Sequence, residues 1–289
     1  MTEKTEARRA VTRVVEPEGV TEGAGVRLRR SIATPGLDYV DPFLLFDHFG
    51  SDDPRDYVAG FPFHPHRGIE TVTYVLDGRV SHRDSMGNAG TIGPGDVQWM
   101  TAGSGILHEE MPQPGPRLEG FQLWVNLPAR HKMTRPRYQD VAAARIPEVR
   151  RADGLRIRVI AGEVDGVRGP VAEIFADPEY LDVSMPAGRS FEQPVPRGHA
   201  AFAYVFEGEA VVGTDAGGRG TSVAATRLVL LGDGDRLGVR TGERPARLLL
   251  VSGRPLGEPV ARYGPFVMNT REEIQQALRE LREGTFIRR

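Results

Sequence analysis

Residues 63–78 read FHPHRGIETVTYVLDG, and this stretch decides how the N-terminal half of the chain folds. Its apolar residues alternate well enough for two consecutive β-strands, with a bend at Gly68 between them and an Asp-Gly hairpin-turn signal at the end. Residues i and i+2 of a strand point to the same face. The side chains of His64 and His66 are therefore expected to project together.

A second motif, His108-Glu109-Glu110, lies in another strand-like segment, and glycine-rich turns separate the two motifs as a β-barrel would require. His108 and Glu110 again share one face. If both strands face one interior, three imidazoles and one carboxylate converge there. Nitrogen and oxygen donors of this kind suit a transition metal and leave octahedral positions open. One His-x-His pair is a weak signal, and the second motif strengthens it.

The chain contains an internal repeat, which predicts two copies of the same fold. The segments HRG (66–68) and YVLDG (74–78) recur 130 residues later as PRG (196–198) and YVFEG (204–208). The spacing between the two segments is the same in both halves.

The repeat duplicates the strands but not the candidate ligands. His64 and His66 correspond to Pro194 and Pro196, and no histidine follows His199. His199 has no histidine near it in the sequence, and we interpret it as structural. We therefore predict one metal per chain, in the first half only.

The composition is typical of a soluble globular protein rich in turns, with 35 glycines and 22 prolines among 289 residues. The absence of cysteine excludes disulfides, thiolate nucleophiles and cysteine-ligated metal sites. A net charge of −2 gives no electrostatic indication of direct nucleic acid binding. The charged first ten residues and the lack of a long apolar run predict a cytoplasmic protein without membrane contact. We also expect a monomer.

The pattern predicts an all-β protein that ends in a helix. An apolar stripe and a Thr-Arg-Glu-Glu capping box at 270–273 indicate that helix, and Gly284 is expected to end it. We expect the stripe to pack against a barrel. The predicted segments are an N-terminal arm (1–24), a metal-binding barrel (25–140), a second barrel without metal (150–265), and a C-terminal helix and tail (266–289).

Two carboxylates compete for the fourth ligand position. Glu110 follows His108 by two residues, and Glu70 follows His66 by four, beyond the bend at Gly68. Spacing alone permits either.

Other candidate residues are given structural interpretations. We expect His82, next to a hairpin turn, to be exposed and solvated, whereas His48 is a candidate for contact with a metal ligand. We interpret Trp99 and Trp124 as core residues and not as stacking platforms. No nucleophile elbow, P-loop or dinucleotide-binding glycine motif is present.

The chain resembles the pirin family, a bicupin branch of the cupin superfamily. The matching segments are DPFLLFDHFG (41–50), FHPHRGIETVTYVLDG (63–78), GPGDVQWMTAGSGILHEEMP (93–112), FQLWVNLP (121–128) and YGPFVMNTREEI (263–274). The resemblance implies two jelly-roll cupin barrels with metal in the N-terminal one only. It also implies the metal ligands His64, His66, His108 and Glu110, with Glu70 not a ligand.

The resemblance further implies one Fe(2+) per chain, although other divalent transition metals are compatible with such a site. Some relatives are quercetin 2,3-dioxygenases, so the leading hypothesis is an iron-dependent enzyme that cleaves a flavonol-like substrate. Glu110, or Glu109 beside it, would accept the substrate hydroxyl proton.

Two alternatives remain open at this stage. One is a non-catalytic iron-bound regulator that binds a transcription or metabolic protein partner according to the oxidation state of the metal. The other is an orphan metalloprotein with only incidental quercetinase activity. The residues of the family motif encode the metal site and the barrel, and they do not distinguish these roles.

Overall fold

A computed structural model of the protein describes residues 7–288, so the first six residues of the predicted arm and Arg289 lie outside the described residues. The predicted all-β architecture with one C-terminal α-helix is confirmed. The strands are β1 (Val11–Val15), β2 (Glu18–Glu22), β3 (Val26–Ile32), β4 (Phe43–Ser51), β5 (Phe61–His66), β6 (Ile69–Asp77), β7 (Val80–Asp84), β8 (Ala89–Ile92), β9 (Val97–Thr101), β10 (Ile106–Pro112), β11 (Leu118–Asn126), β12 (Arg137–Val141), β13 (Glu148–Arg150), β14 (Arg156–Ala161), β15 (Glu163–Val164), β16 (Val167–Arg168), β17 (Glu179–Met185), β18 (Ser190–Pro194), β19 (Ala200–Val212), β20 (Thr221–Ala224), β21 (Arg227–Leu231), β22 (Arg236–Gly253), β23 (Ala261–Tyr263) and β24 (Phe266–Met268).

The remaining regular structure is helical. The α-helix is α1 (Arg271–Glu283), and three short 3-10 helices span Pro54–Asp56, Ala129–His131 and Ala143–Arg145. No helix among residues 7–288 combines the length and apolar character needed to cross a membrane.

The first compact unit, called here the N-terminal barrel, comprises residues 18–143 and 256–288. A seven-stranded sheet has the order β12-β9-β6-β11-β4-β3-β2, and a four-stranded sheet has the order β5-β10-β7-β8. The strand β23 pairs with β24, and α1 follows them. All residues of the candidate metal site belong to this unit.

The second compact unit, called here the C-terminal barrel, comprises residues 7–17 and 144–255. Its long strands β19 and β22 each take part in two strand pathways. One runs β21-β19-β22-β17-β14, like β9-β6-β11-β4-β3 of the N-terminal barrel, and the other runs β18-β22-β19-β20, like β5-β10-β7-β8. The shared strand order confirms the internal repeat.

The division of the chain differs from the predicted boundaries at both ends. Strand β1 pairs with β21 in the C-terminal barrel, whereas β2 pairs with β3 in the N-terminal barrel, so the predicted arm is divided after residue 17. Buried Arg9 fixes the first part, because its guanidinium donates to the backbone carbonyls of Pro196, His199 and Gly232. The helix and tail belong to the N-terminal barrel.

Helix α1 has the ends that the sequence predicts. Thr270 and Glu273 form a capping box, and Gly284 adopts a left-handed conformation at the C-cap. The buried side chains of Ile274 and Ala277 pack with Phe266 and other apolar residues of the N-terminal barrel. The prediction that the apolar stripe is a packing surface is confirmed.

Two buried cations attach the C-terminal segment beside strand β5. Arg67, next to His66, donates to the Ser104 carbonyl (2.6 Å) and to Glu280 (2.6 Å), and its guanidinium stacks on Phe286. Lys132 Nζ donates to three acceptors. They are the carbonyl oxygens of Gly68 (2.9 Å) and Val267 (2.9 Å) and the Asn126 side-chain oxygen (2.7 Å).

Replacing Lys132 with methionine is expected to destabilise the N-terminal barrel by about 3 kcal/mol, because three hydrogen bonds to buried oxygen atoms are lost. Both tryptophans lie in this unit, so urea unfolding followed by tryptophan fluorescence measures its stability. The control is Arg279→Met on the exposed face of α1. A loss no larger than that of the control would show that these contacts contribute little.

Candidate metal centre

Strands β5 and β10 bring the three predicted histidines together. The antiparallel register pairs His108 with His64 and Ile106 with His66. The ring centroids of His64 and His108 are 4.5 Å apart, those of His64 and His66 4.8 Å, and those of His66 and His108 5.0 Å. One nitrogen from each ring lies within 4.8 Å of the other two. Alternation along paired strands places all three on one face.

The hydrogen bonding of these imidazoles fits a bound metal. His64 Nδ1 lies 3.0 Å from the Pro62 carbonyl oxygen, to which its N–H donates, and this leaves Nε2 as an acceptor. Both ring nitrogens of His108 are buried and have no hydrogen-bond partner among residues 7–288. Such orphaned polar atoms carry a desolvation cost that coordination to a metal would offset.

Burial also favours the protonation state that a metal requires. The pKa values of His66 and His108 are lowered well below their ordinary value, first by burial and then by the neighbouring imidazoles. Both rings are therefore neutral near pH 7. Neutral imidazoles suit zinc, copper, iron and nickel.

The carboxylate of Glu110 lies on the same side of the sheet as the histidines. Its Oε1 accepts a hydrogen bond from the Thr73 hydroxyl at 2.9 Å, and the Gln122 side-chain amide lies 2.7 Å from the same hydroxyl. The Thr73 hydroxyl has one hydrogen, which it donates to Glu110. The Gln122 side chain is therefore oriented with its NH₂ group donating to the Thr73 oxygen. Among the described residues, the donor atoms within 4.8 Å of one another come from the three histidines alone. Coordination by Glu110 stays a prediction.

Glu70 lies on the opposite face of strand β6. It is fully buried and accepts a hydrogen bond from the Thr101 hydroxyl at 2.8 Å. Thr73 lies three residues after Glu70 and donates to Glu110, so alternation along the strand places Thr73 and Glu70 on opposite faces. Burial raises the pKa of Glu70 to about 7, against the opposing effect of the hydrogen bond from Thr101. Strand alternation therefore separates Glu70 from the imidazoles.

The ionisation of Glu70 is expected to weaken the fold as the pH rises. Its pKa is about 7 in the folded protein and 4.5 ordinarily, so the folded state binds the extra proton between these values. The stability that this proton provides is complete below pH 4.5 and is lost as the pH rises through 7. Relative to wild type, Glu70→Gln should gain up to about 3 kcal/mol between pH 4.5 and pH 8.

The same urea titration at pH 5 and pH 8 measures this effect. Glu109→Gln is the matched control, because Glu109 lies on the outer face of β10 and pairs with the exposed Arg83. A difference between Glu70→Gln and wild type that stays constant with pH would contradict the assignment.

His64 and His66 open into a cavity of about 470 Å³, a size typical of small-molecule sites. Most of its exposed wall is apolar, although several polar and charged side chains also line it. Lining residues include Leu28, Leu45, Phe49, Phe61, His64, His66, Thr73, Val80, Glu110, Leu118, Gln122 and Trp124.

Trp124 packs against an apolar cluster of the N-terminal barrel, which agrees with its interpretation as a core residue. Its ring lines the cavity and meets His66 edge-on, with the centroids 5.1 Å apart, whereas Trp99 is fully buried as predicted. Gln122 and Trp124 share one face of β11, and Leu123 and Val125 share the other. Gln122, a polar residue two places before Trp124, was the sequence signal that this face of β11 lines a cavity.

The prediction that His82 is exposed is wrong. Its side chain is 2% exposed, its ring stacks on Tyr138 at 5.7 Å, and Nε2 lies 3.7 Å from an Asp140 carboxylate oxygen. The pattern on β7 explains this, because Val80, His82 and Asp84 alternate inwards. His82 Cα pairs with that of Glu110, but His82 is not among the three clustered histidines.

His48 is not brought to the cavity. Its Nε2 lies 3.2 Å from Glu119, and its ring faces Phe121. The neighbouring Leu45 and Asp47 line the cavity, so His48 belongs to the other face of β4. His199 lies in the C-terminal barrel, beside Asp177.

The interior of the C-terminal barrel is filled with apolar side chains. Its cluster includes Val159, Leu181, Phe191, Ala203, Val205, Leu237, Val239 and Leu250. Strand β18 corresponds to β5 and ends at Pro194, as the repeat implies. This apolar packing is a structural reason to expect no metal in the C-terminal barrel. The absence of metal there stays a prediction.

Two jelly-roll barrels with a histidine cluster inside one of them define a bicupin. The comparison of the sequence with family models agrees, because residues 25–125 match the pirin family and residues 180–287 match the pirin C-terminal cupin domain. The chain belongs to the pirin family.

Individual relatives cover most of the chain. A Pseudomonas aeruginosa protein, provisionally named a quercetin 2,3-dioxygenase, is 47% identical over 91% of this chain and 93% of its own length. Human pirin is 43% identical over 91% of this chain and 88% of its own length. The crystal structure of a quercetin 2,3-dioxygenase from Acinetobacter baumannii superimposes with a TM-score of 0.87 at 35% identity, covering 97% of this chain and 99% of that one.

Proposed function

We propose that the protein is a metal-dependent dioxygenase that cleaves a flavonol such as quercetin, with iron held by His64, His66 and His108 and by Glu110. The observation that carries this proposal is a cluster of three imidazoles, of which those of His64 and His66 line a largely apolar cavity of about 470 Å³. The names of the Pseudomonas and Acinetobacter relatives support the substrate class.

The bound metal would supply a Lewis acid for the substrate enol oxygen and a centre for oxygen chemistry, using the positions that four protein ligands leave open. The apolar wall excludes water from the flat aromatic rings of the substrate and orients them. Phe61 and Trp124 offer aromatic surfaces on which such rings can pack.

The polar side chains of the cavity have separate roles in this proposal. Glu110 accepts the proton of the substrate hydroxyl, and Thr73 holds the carboxylate in place through the hydrogen bond at 2.9 Å. The Gln122 amide in turn orients the Thr73 hydroxyl. Glu109, which pairs with Arg83 on the outer face, is not a candidate for the base.

Anaerobic binding followed by oxygen admission tests the proposal. Iron-loaded protein mixed with quercetin without oxygen should give a changed metal spectrum, and oxygen uptake with loss of flavonol absorbance should begin only when oxygen is admitted. Nickel-loaded and zinc-loaded samples, prepared identically, identify the active metal, and metal-free protein is the control.

An iron-replete protein that neither binds quercetin nor consumes oxygen would refute the enzyme proposal. The regulator hypothesis would then be tested by partner capture with ferrous and ferric protein. Identical capture by both forms would remove that hypothesis as well.

A further inference from the structure

One cation at the mouth of the cavity has hydrogen-bonding capacity to spare. Arg262, on β23, lines the cavity together with His64 and His66. Its guanidinium carbon lies 5.3 Å from the centre of the Trp124 ring, and Trp124 meets His66 edge-on. Arg262 therefore sits one aromatic ring away from the candidate metal ligands.

The other arginine of the cavity, Arg30, already forms hydrogen bonds with two carboxylates of the protein. It donates to both carboxylate oxygens of Asp47, at 2.8 and 2.7 Å, and to Glu22 at 2.6 Å. The hydrogen bond that Arg262 makes among residues 7–288 goes from Nη1 to the Leu44 carbonyl at 3.2 Å. A guanidinium has five N–H donors, so most of those of Arg262 are available to a ligand.

The carboxylates near Arg262 do not use this capacity. Asp38, Asp47 and Glu22 lie close enough to favour its charge, against the effect of partial burial, but within residues 7–288 none of them accepts a hydrogen bond from it. The oxygens of Asp47 are held by Arg30. The contact with the Trp124 ring places the guanidinium at the cavity wall.

Arg30 and Arg262 are the arginines that line the cavity. Arg30 donates to Asp47 and Glu22, whereas no carboxylate among residues 7–288 accepts a hydrogen bond from Arg262. Arg262 is therefore the arginine of this cavity that can pair with an anionic ligand.

We propose that Arg262 binds an anionic group of the substrate, so that the cavity selects aromatic enols that carry a second anionic substituent, a carboxylate or sulfonate, on the part remote from the metal. This inference rests on the proposed function, because it uses the same cavity and the same orientation of the ring system. Arg262 acts as a specificity-determining residue, and the metal site itself does not depend on it.

The test compares two ligands that differ by one charge. Binding of quercetin, and of quercetin sulfonated on its pendant phenyl ring, is measured by anaerobic calorimetry with metal-loaded wild type, Arg262→Gln and Arg262→Lys. Arg83→Gln is the matched control, because Arg83 also stacks on an aromatic ring, Phe63, but does not line the cavity. Circular dichroism and metal content confirm that each variant is folded and loaded.

We expect wild type to prefer the sulfonated ligand, and Arg262→Gln to bind it about fivefold to tenfold more weakly with quercetin affinity changed less than about twofold. Arg262→Lys should keep part of the preference, and added salt should reduce it. Equal effects of Arg262→Gln on both ligands, or none, would overturn the inference alone. Failure of wild type to bind either flavonol would overturn the proposed function and this inference together.

Discussion

Replacing His108 with alanine is expected to reduce the metal content of the purified protein from one equivalent to below about a tenth, with loss of at least 99% of any metal-dependent activity. His108 is fully buried and lies within 5.0 Å of both other imidazoles, so no solvent-exposed side chain can take its place. Two histidines and one carboxylate would remain. Each lost ligand lowers metal affinity strongly, because the others no longer surround the ion.

The stability of the metal-free protein should respond quite differently. The two ring nitrogens of His108 have no hydrogen-bond partner among the described residues, and each such buried group costs about 1–3 kcal/mol. Removing them offsets the loss of packing, so the metal-free variant should melt within about 4 °C of metal-free wild type. Metal analysis and thermal denaturation measure the two effects separately.

His82→Ala is the matched control for this experiment. His82 is also a buried histidine with unpaired ring nitrogens and lies on the adjacent strand, but it is outside the cluster of donor atoms. The His82→Ala variant should retain close to one equivalent of metal. Metal retained by His108→Ala, or two tightly bound equivalents in wild type, would contradict a single site at these histidines.

Short-range sequence signals predicted the parts of this site that local geometry determines. The spacing of His64 and His66 predicted a shared face, and the strands and register confirm it. The 130-residue repeat predicted two copies of the fold, which the matching strand orders show. These features follow from alternation and turn residues, which act over a few residues.

Features that depend on distant pairing were not predictable in the same way. Strand β1 pairs with β21 across more than 200 residues, and Arg262 reaches the cavity from a segment far from the histidines in sequence. His82 was misplaced because a nearby turn outweighed the inward alternation of β7. Trp124 packs against an apolar cluster as predicted, but its contact with the cavity was not predicted, because an aromatic residue in an apolar strand is usually a core residue.

Exchange of one carboxylate for an amide should separate the two glutamates that spacing alone left equivalent. Glu110→Gln is expected to weaken metal binding by about 100-fold or more, because a neutral amide replaces a charged ligand. Glu70→Gln should leave the metal content near that of wild type. Glu70 is buried on the opposite face of β6 and pairs with Thr101, whereas Glu110 lines the cavity with His64 and His66.

Which of the two glutamate variants binds metal more weakly depends on the face that strand β6 turns towards the histidines. Glu109→Gln provides the control, because it makes the same chemical change one residue away and on the outer face of β10. Competition with a chelator of known affinity gives the dissociation constants of all three variants and wild type. For Glu70 to be the ligand instead, β6 would have to turn its other face to the histidines, and this would also remove Thr73 from Glu110. A larger loss in Glu70→Gln than in Glu110→Gln would therefore contradict both the ligand assignment and the register of β6.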